Sequence, residues 1–357
     1  MDRTFFKNII AACLPLALIF SSCKKENDCC AIPPAAARNV YVVCEGSLGN
    51  GNAALSVYQP DSNRAYEDVF KAANQQSLGD VFQSMERVGD RYYLCINNSD
   101  KVIVIGKDDW KLLGSIPVPK PRYLLSAGGT KAFVTSLFNN KMYAVNTGGG
   151  ITDTITLPYQ NPEGIIAWVN NHTLVATWDT ASNKLYSIDN NTNQVTDSVT
   201  VAGRAPQSML YDKEGKLWVL SGNVYKGKNS ALTRIDPATK QILQSYPFPA
   251  NADAIKPVFN YTQDTLYFIE VDYNGGTQNN GIYRMGIHDA TLPTQAFIPA
   301  QQFQYFWALG IDPVTRNIYV GDPKGFTQKG TVYIYRPDGT KTGEFNTGVG
   351  PGHIYFY

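Results

Sequence analysis

The sequence contains few residues that could bind a metal or a highly charged partner. Only 3 of the 357 residues are histidine, and charged residues make up 17% of the chain. The formal net charge is +1, which indicates neither a basic surface for nucleic acid nor an acidic surface for a charged partner. Because His172 and His288 fall in predicted tight turns, we expect no histidine cluster for a transition metal.

Motifs for covalent chemistry are also missing. The chain has no nucleophile elbow, Walker loop or dinucleotide-binding fingerprint. Residues 189–193 lack the glycine and the distal glutamate of a calcium loop. We therefore expect a protein that is not an enzyme and needs no cofactor. One alternative stays open, because Glu163 with Asp179 or Glu270 could form the two acids of a glycoside hydrolase.

Long helical patterns and a disulfide framework are missing too. No segment shows the sustained 3.6-residue period of an amphipathic helix, so an α/β fold has no support. Cys44 and Cys95 each end an apolar strand-like run. We interpret both as small buried hydrophobic residues, with a bridge between them as the alternative.

The first 37 residues have the pattern of an export signal. A basic start is followed by an apolar run at residues 9–20 and then by two serines and Cys23. This run is too short to span a bilayer, which takes about 20 residues, and it is typical of a secretory signal. We interpret residues 1–22 as a lipoprotein signal peptide, Cys23 as the lipidated N-terminus and residues 23–37 as a tether. An ordinary signal peptide is the alternative.

The tether begins with charged residues, namely Lys24, Lys25, Glu26 and Asp28. These charges resemble the signals that send some Bacteroidetes lipoproteins to the cell surface. We therefore expect an outer-membrane protein that touches the membrane only through its lipid anchor and is exposed on the cell surface.

A strand–loop–strand motif recurs every 40 to 50 residues along the rest of the chain. Its first strands cover residues 39–42, 91–94, 131–134, 173–176, 216–219, 265–268 and 317–320. Its second strands cover residues 55–58, 102–105, 142–145, 185–188, 232–235, 282–285 and 332–335. A further strand precedes and another follows each pair. Four strands per repeat are typical of β-propeller blades.

The two ends of the repeat region predict how the ring closes. The N-terminus supplies three strands without a preceding inner strand, and the C-terminus supplies one extra strand at residues 353–357. Joining them completes a blade and leaves no free sheet edge. The sequence therefore predicts an all-β fold, a seven-bladed β-propeller over residues 38–357 whose C-terminal strand closes the N-terminal blade.

The two faces of such a propeller would differ. Tight turns, at residues 128–129, 170–171, 212–215, 262–264 and 312–315, lie on one side, here called the turn face. Long loops, at residues 45–52, 178–183, 221–229, 270–280 and 321–330, lie on the opposite side, here called the loop face. Long loops on a rigid scaffold commonly carry recognition, so we expect the ligand on the loop face.

Aligning the inner strands predicts a ring of side chains where the central channel opens on the loop face. The ring residues are Gln83, Arg122 or Tyr123, Glu163, Gln207, Lys256, Trp307 and His353. Further candidate ligand-binding residues lie in the surrounding loops: Asn50, Phe138, Tyr159, Trp178, Arg204, Tyr225, Tyr273 and Phe326. Mixed polar groups with aromatic rings suit a polar organic ligand. The alternative is that ring residues plug the channel and bond one another.

Several motifs resemble the opening of Bacteroidetes YncE-like propeller lipoproteins. They cover residues 45–52, 69–74, 78–85, 97–102 and 121–124. Within that group the chain resembles the BtuG-type proteins. The resemblance implies a surface lipoprotein that binds cobalamin or another corrinoid and passes it to a TonB-dependent outer-membrane transporter.

The leading hypothesis is therefore a ligand-binding protein whose partners are a corrinoid and a transporter. A non-catalytic propeller that binds a glycan or a protein is the alternative from another class. It predicts a partner footprint spread over the loops and no affinity for corrinoids. An enzyme such as a propeller lyase or glycosidase is the third hypothesis.

Overall fold

The computed structural model describes residues 38–223, 228–249, 252–271 and 280–357. These residues form seven four-stranded antiparallel sheets, which confirms the predicted all-β, seven-bladed propeller. The predicted signal peptide, tether and lipidated Cys23 lie outside the described residues, as do the candidate ligand-binding residues Tyr225 and Tyr273.

Blades 1 to 4 follow one another along the chain, each running from an inner strand at the channel to an outer strand. Blade 1 consists of β28 (Pro351–Phe356), β1 (Val40–Cys44), β2 (Ala54–Gln59) and β3 (Arg64–Tyr66). Blade 2 consists of β4 (Phe82–Val88), β5 (Arg91–Ile96), β6 (Lys101–Gly106) and β7 (Leu112–Pro117). Blade 3 consists of β8 (Pro121–Ser126), β9 (Lys131–Ser136), β10 (Lys141–Asn146) and β11 (Ile151–Thr156). Blade 4 consists of β12 (Pro162–Trp168), β13 (His172–Thr177), β14 (Lys184–Asp189) and β15 (Val195–Thr200).

Blades 5 to 7 continue in the same order. Blade 5 consists of β16 (Pro206–Tyr211), β17 (Leu217–Asn223), β18 (Lys228–Ile235) and β19 (Ile242–Pro247). Blade 6 consists of β20 (Asp253–Phe259), β21 (Thr265–Val271), β22 (Gly281–Gly286) and β23 (Ile298–Pro299). Blade 7 consists of β24 (Ala308–Ile311), β25 (Ile318–Asp322), β26 (Lys329–Tyr335) and β27 (Lys341–Val349).

The two middle strands of each blade carry most of the core. Every residue of β1 and β2 is buried, because neighbouring blades cover both faces of these strands. Outer strands such as β11 and β15 bury one residue in six. The described core divides into seven hydrophobic clusters, one at each interface between adjacent blades. Packing between blades, and not within a sheet, therefore holds the ring together.

Blade 1 closes the ring as the sequence predicts. Strand β1 pairs with β2 on one side and with the C-terminal β28 on the other, with Val40 opposite both Tyr58 and Phe356. At the start of the described chain, Arg38 forms an ion pair of 3.0 Å with Asp312 in a turn of blade 7. The chain therefore enters the propeller at the turn face.

One short helix departs from the purely β expectation. Helix α1 (Val69–Asn74) lies between blades 1 and 2 and buries Val69, Phe70 and Ala73 in the core cluster between them. The Asp68 side chain accepts the Lys71 N–H and caps its N-terminus. Single 3₁₀ turns occur at Asn97–Ser99, Val169–Asn171 and Lys324–Phe326.

The two strand-end cysteines are free and fully buried. This confirms that Cys44 and Cys95 act as small core residues, and the alternative of a bridge between them is wrong. Burial raises the pKa of each thiol to about 12, so both stay protonated. Within the described ranges, no helix has the length and apolar character needed to cross a membrane.

Candidate functional site

A repeated backbone feature opens the inner strands toward the channel. In five blades a residue with positive φ precedes a proline of the inner strand: Lys120, Asn161, Ala205, Lys256 and Gly350. The register between the inner strand and its neighbour then shifts in six blades. Such bulges re-aim side chains. Here they turn the first residues of the inner strands toward the channel at the loop face.

A buried ion pair forms one side of the ring. The Arg122 Nε and Nη2 atoms donate to the two Glu163 carboxylate oxygens at 2.7 and 2.6 Å. The Arg122 Nη1 atom donates to the Gln83 side-chain oxygen. Although burial lowers the pKa of Arg122, the Glu163 charge outweighs it and holds that pKa above its ordinary value. Three predicted ring residues from blades 2, 3 and 4 therefore form one rigid unit.

Lys256, His353 and Tyr123 form the opposite side of the ring. The Lys256 ammonium lies 3.0 Å from the His353 Nε2 atom, and the Tyr123 hydroxyl lies 3.4 Å from the same nitrogen. Burial lowers the pKa of Lys256 to about 8, with Glu45 opposing the shift and Arg122 adding to it.

The imidazole beside this lysine is uncharged at neutral pH. Burial, followed by the charges of Lys256 and Arg122, lowers the pKa of His353 well below 6.5. Burial and the nearby Glu163 charge raise the pKa of Tyr123, so its hydroxyl also stays protonated. The Gln83 amide donates to that hydroxyl at 3.2 Å, which joins the two sides of the ring.

Trp307 forms an aromatic wall of the ring and brings in a residue that the sequence reasoning missed. Its indole Nε1 donates to the Glu45 carboxylate at 2.9 Å, and its ring packs edge-on against Phe326 at 5.8 Å. A Cβ atom on Gly352 would lie 2.1 Å from that carboxylate. Glu45 therefore occupies the ring position that Gly352 leaves empty.

Gln207 and Trp178 meet at a single backbone carbonyl. The Trp178 indole N–H and the Gln207 amide both donate to the Gly222 oxygen, at 2.9 and 3.3 Å. A side chain at Gly222 would collide with Asp253, so this close approach requires glycine. The structure thus places both predicted residues at the rim of blade 5.

The other predicted residues lie in loop-face segments around the ring. Asn50 and Phe138 are exposed. Tyr159 packs on Tyr186, with ring centroids 6.4 Å apart, and Arg204 donates to the Ala181 carbonyl at 2.9 Å. Tyr159 and Arg204 thus contact neighbouring strand and loop residues, and the structure does not join these four side chains to the Arg122–Glu163 or Lys256–His353 groups.

Two of the acids considered for glycoside hydrolysis already accept hydrogen bonds from other residues. Both Glu163 oxygens accept from Arg122, and the Asp179 oxygens accept backbone N–H groups of its own and a neighbouring loop. Burial raises the pKa of Glu270 to about 7. No group of three potential metal ligands occurs among the residues that the structure describes.

A second polar network lies on the turn face and serves as a contrast. Asp212 accepts from the Trp218 indole at 2.9 Å and from Arg234 at 2.8 Å. Arg234 also donates to Glu214 at 2.6 Å, and Glu214 lies 3.0 Å from His288. Burial raises the pKa of Asp212, but the hydrogen bonds from Trp218, backbone N–H groups and Arg234 outweigh it and leave that pKa below its ordinary value.

The chain matches a protein family described as "Domain of unknown function (DUF5074)" over residues 38–356. No curated protein matches it in sequence. Solved structures share its fold at low identity. A quinonprotein alcohol dehydrogenase-like protein from Bacteroides thetaiotaomicron is 15% identical with a TM-score of 0.67, covering 90% of this chain and 78% of that one.

Two further structures are similar in the same way. A protein from Lactobacillus plantarum is 12% identical with a TM-score of 0.63, over 90% of this chain and 99% of that one. Hydrazine synthase from Kuenenia stuttgartiensis is 14% identical with a TM-score of 0.56, over 74% of this chain and 86% of that one. At these identities the likeness shows the propeller fold alone.

Proposed function

The chain belongs to the DUF5074 family, and we propose that it is a non-catalytic protein that captures a small organic ligand, a corrinoid such as cobalamin, at the ring on its loop face. The observation that carries this proposal is the ring itself. Polar side chains from separate blades converge where the channel opens, beside the aromatic walls of Trp307 and Trp178. Few polar groups placed among aromatic ones are typical of small-molecule sites.

The chemistry of a corrinoid suits this surface. The corrin macrocycle is large and flat, and amide side chains surround it. Aromatic rings can contact the flat macrocycle at about 0.5–1.5 kcal/mol per stacked pair. Amide and hydroxyl groups such as those of Gln207 and Tyr123 can bond the peripheral amides.

The hydrogen bonds of Glu163 in the ring favour capture without catalysis. Glu163 gives both of its oxygens to Arg122, so it is poorly placed to act as a general acid or a nucleophile. A general base must reach its proton within about 3 Å, and His353 already contacts Lys256 and Tyr123 through its Nε2 atom.

The entry point of the chain supports the proposed lipid anchoring. We propose that Cys23 carries the lipid and that residues 23–37 tether the propeller to the outer membrane at the cell surface. Because the chain enters the propeller at the turn face, beside Asp312, the attachment point lies on the side opposite the ring. The loop face is then left free to receive a ligand and a partner.

Exposed apolar side chains on the loop face support hand-over to a partner protein. Leu48, Phe138 and Phe303 are 76%, 74% and 90% exposed. Phe138 belongs to blade 3, and Phe303 lies between blades 6 and 7, about half a turn around the ring. We propose that a TonB-dependent transporter contacts this rim and receives the ligand.

Co-elution with cyanocobalamin tests the proposed function. We expect the visible colour to travel with the purified full chain on a sizing column. Trp307→Ala should weaken the retention, because the substitution removes an aromatic wall. Tyr261→Ala is the matched control, since Tyr261 is a turn-face aromatic that is 64% exposed.

Colour that elutes only as free cyanocobalamin would overturn the corrinoid proposal. A non-catalytic propeller that binds a glycan or a protein would then be the better account, since the exposed rim at Leu48 and Phe303 suits a protein partner.

A further inference from the structure

The charged groups of the ring differ in whether they have a partner that balances their charge. Arg122 has a carboxylate partner in Glu163, and Glu45 accepts from Trp307. Lys256 contacts the His353 imidazole and lies over the Trp307 ring at 5.9 Å. Among the described residues no carboxylate lies within ion-pair distance of its ammonium. A largely buried cation without a direct counter-charge is costly.

We propose that the ring holds an anionic group of the captured ligand, a carboxylate or a phosphate ester, with Lys256 as its counter-charge. This inference rests on the proposed capture function of the loop face, but it does not depend on the ligand being a corrinoid. It narrows the ligand class to organic molecules that carry a negative group able to enter the channel.

The donors around this position are already oriented. The ammonium of Lys256 has three N–H groups, and one contact with His353 leaves two of them for a ligand. The Lys256 backbone has positive φ, directly before Pro257. A left-handed conformation at a non-glycine residue costs free energy, and here positive φ recurs before a proline of the inner strand in four other blades. The bulge at this position aims the lysine at the channel instead of along the strand.

The neighbouring groups favour an anion over a cation or a neutral group. The charges that face Lys256 are Arg122, Glu163 and Glu45, and the uncharged groups are His353, Tyr123 and Trp307. Arg122 and Glu163 neutralise each other in a bidentate pair. The Tyr123 hydroxyl accepts from Gln83 and lies 3.4 Å from the His353 Nε2 atom, so it adds a polar group beside the ammonium.

An anion at this site would change the titration of Lys256 in a definite direction. A negative charge nearby favours the protonated amine. The pKa of Lys256, which burial lowers to about 8, should therefore rise toward its ordinary value when the site is filled. This readout needs no knowledge of the natural ligand.

The experiment measures that titration by NMR in the full chain with lysines labelled at the side chain. Inorganic phosphate and acetate are added separately at constant ionic strength, with chloride as the reference. Lys256→Met assigns the signal, and the exposed Lys184 is the control lysine. We expect phosphate, acetate or both to raise the pKa of Lys256 and to leave that of Lys184 unchanged.

Comparing phosphate with acetate identifies the chemical type of the ligand's negative group. A shift with phosphate alone supports a phosphate ester, and a shift with acetate alone supports a carboxylate. Lys256→Met should also weaken binding of the effective anion on the order of tenfold or more, while Lys256→Arg retains it. A pKa of Lys256 that neither anion changes would overturn the inference.

This outcome is separable from failure of the proposed function. If cyanocobalamin co-elutes but neither anion shifts Lys256, the capture function stands and the anionic subsite is wrong. If an anion shifts Lys256 but cyanocobalamin does not bind, the subsite stands and the ligand is a different anionic molecule.

Discussion

The propeller has two polar networks built from the same residue types, and they differ in whether their charges are matched. On the turn face, Arg234 is paired with both Asp212 and Glu214, and Trp218 donates to Asp212. On the loop face, Arg122 is paired with Glu163. There the remaining cation, Lys256, meets an uncharged imidazole.

This difference separates a stabilising network from a binding one. Fully satisfied buried networks make a structure rigid, whereas an incompletely satisfied group costs stability. A protein keeps such a group where a ligand completes it. We therefore attribute a structural role to Asp212 and its partners, and the unmatched charge of Lys256 supports the proposed ligand contact there.

Removing the centre of the turn-face network should have the largest effect on stability. Asp212→Ala leaves the Trp218 indole and part of Arg234 without an acceptor, which we expect to lower the free energy of unfolding by about 3 kcal/mol. Urea denaturation measures this loss. Because the folded pKa of Asp212 lies below its unfolded value of about 3.9, this stability is present above that pH and is lost as the pH falls further.

The same substitution should leave ligand affinity unchanged. A weaker affinity for cyanocobalamin in folded Asp212→Ala would contradict the division of the molecule into a structural face and a binding face.

Neutralising Glu163 should have a smaller effect on stability and a distinctive effect on binding. Glu163→Gln leaves the largely buried Arg122 without its counter-charge, which should cost about 2 kcal/mol of unfolding free energy. The ring also becomes more positive, so affinity for inorganic phosphate or acetate should rise. Denaturation and calorimetric titration give the two values, and a fall in anion affinity would contradict the proposed role of Lys256.

Raising the pH should change the contribution of Lys256 to stability and the affinity for the anion in opposite directions. The pKa of Lys256 is about 8 in the folded protein and 10.5 ordinarily. Between these values the unfolded chain binds more protons at this lysine, so the stability of the ligand-free protein relative to Lys256→Met rises with pH. The buried thiols of Cys44 and Cys95 act in the opposite direction, but equally in both proteins. Affinity for the anion should fall over the same range, because the amine loses its charge. Titrations at several pH values test this, with Lys256→Met as the reference protein for both trends.

The smallest effect concerns the exposed rim. Phe138 has φ of +63° and is 74% exposed, a conformation that costs about 1 kcal/mol for a residue other than glycine. Phe138→Gly should therefore raise the unfolding free energy by several tenths of a kcal/mol or leave it unchanged, as urea denaturation would measure. Val314→Gly, at an exposed turn-face position without positive φ, is the control and should lower stability.

The blade count and the middle strands could be predicted because they are buried on both faces. Strands such as β1 and most of β5 appear in the sequence as continuous apolar runs. The outer strand of blade 6 is only two residues long, Ile298–Pro299, and helix α1 has six residues. Such short elements have no periodicity that a sequence could display.

The ring could be predicted in part, and its exceptions have a local cause. Gln83, Arg122 and Glu163 are the second residues of their inner strands, so alignment of the repeats finds them. Glu45 was missed because it lies in a loop, and only the missing side chain at Gly352 admits it to the ring. Alignment also found Lys256, although this residue has positive φ and precedes a proline. It is not the second residue of its inner strand, as the other three are.

Hydrogen exchange in the full chain, with and without cyanocobalamin, tests the central claim that the loop face binds the ligand. If the ring binds the ligand, we expect slower exchange in peptides that contain Gln83, Lys256 and Trp307. We expect no change in the peptide spanning Asp212 to Trp218. Protection of that turn-face peptide, with the ring peptides unchanged, would contradict the claim.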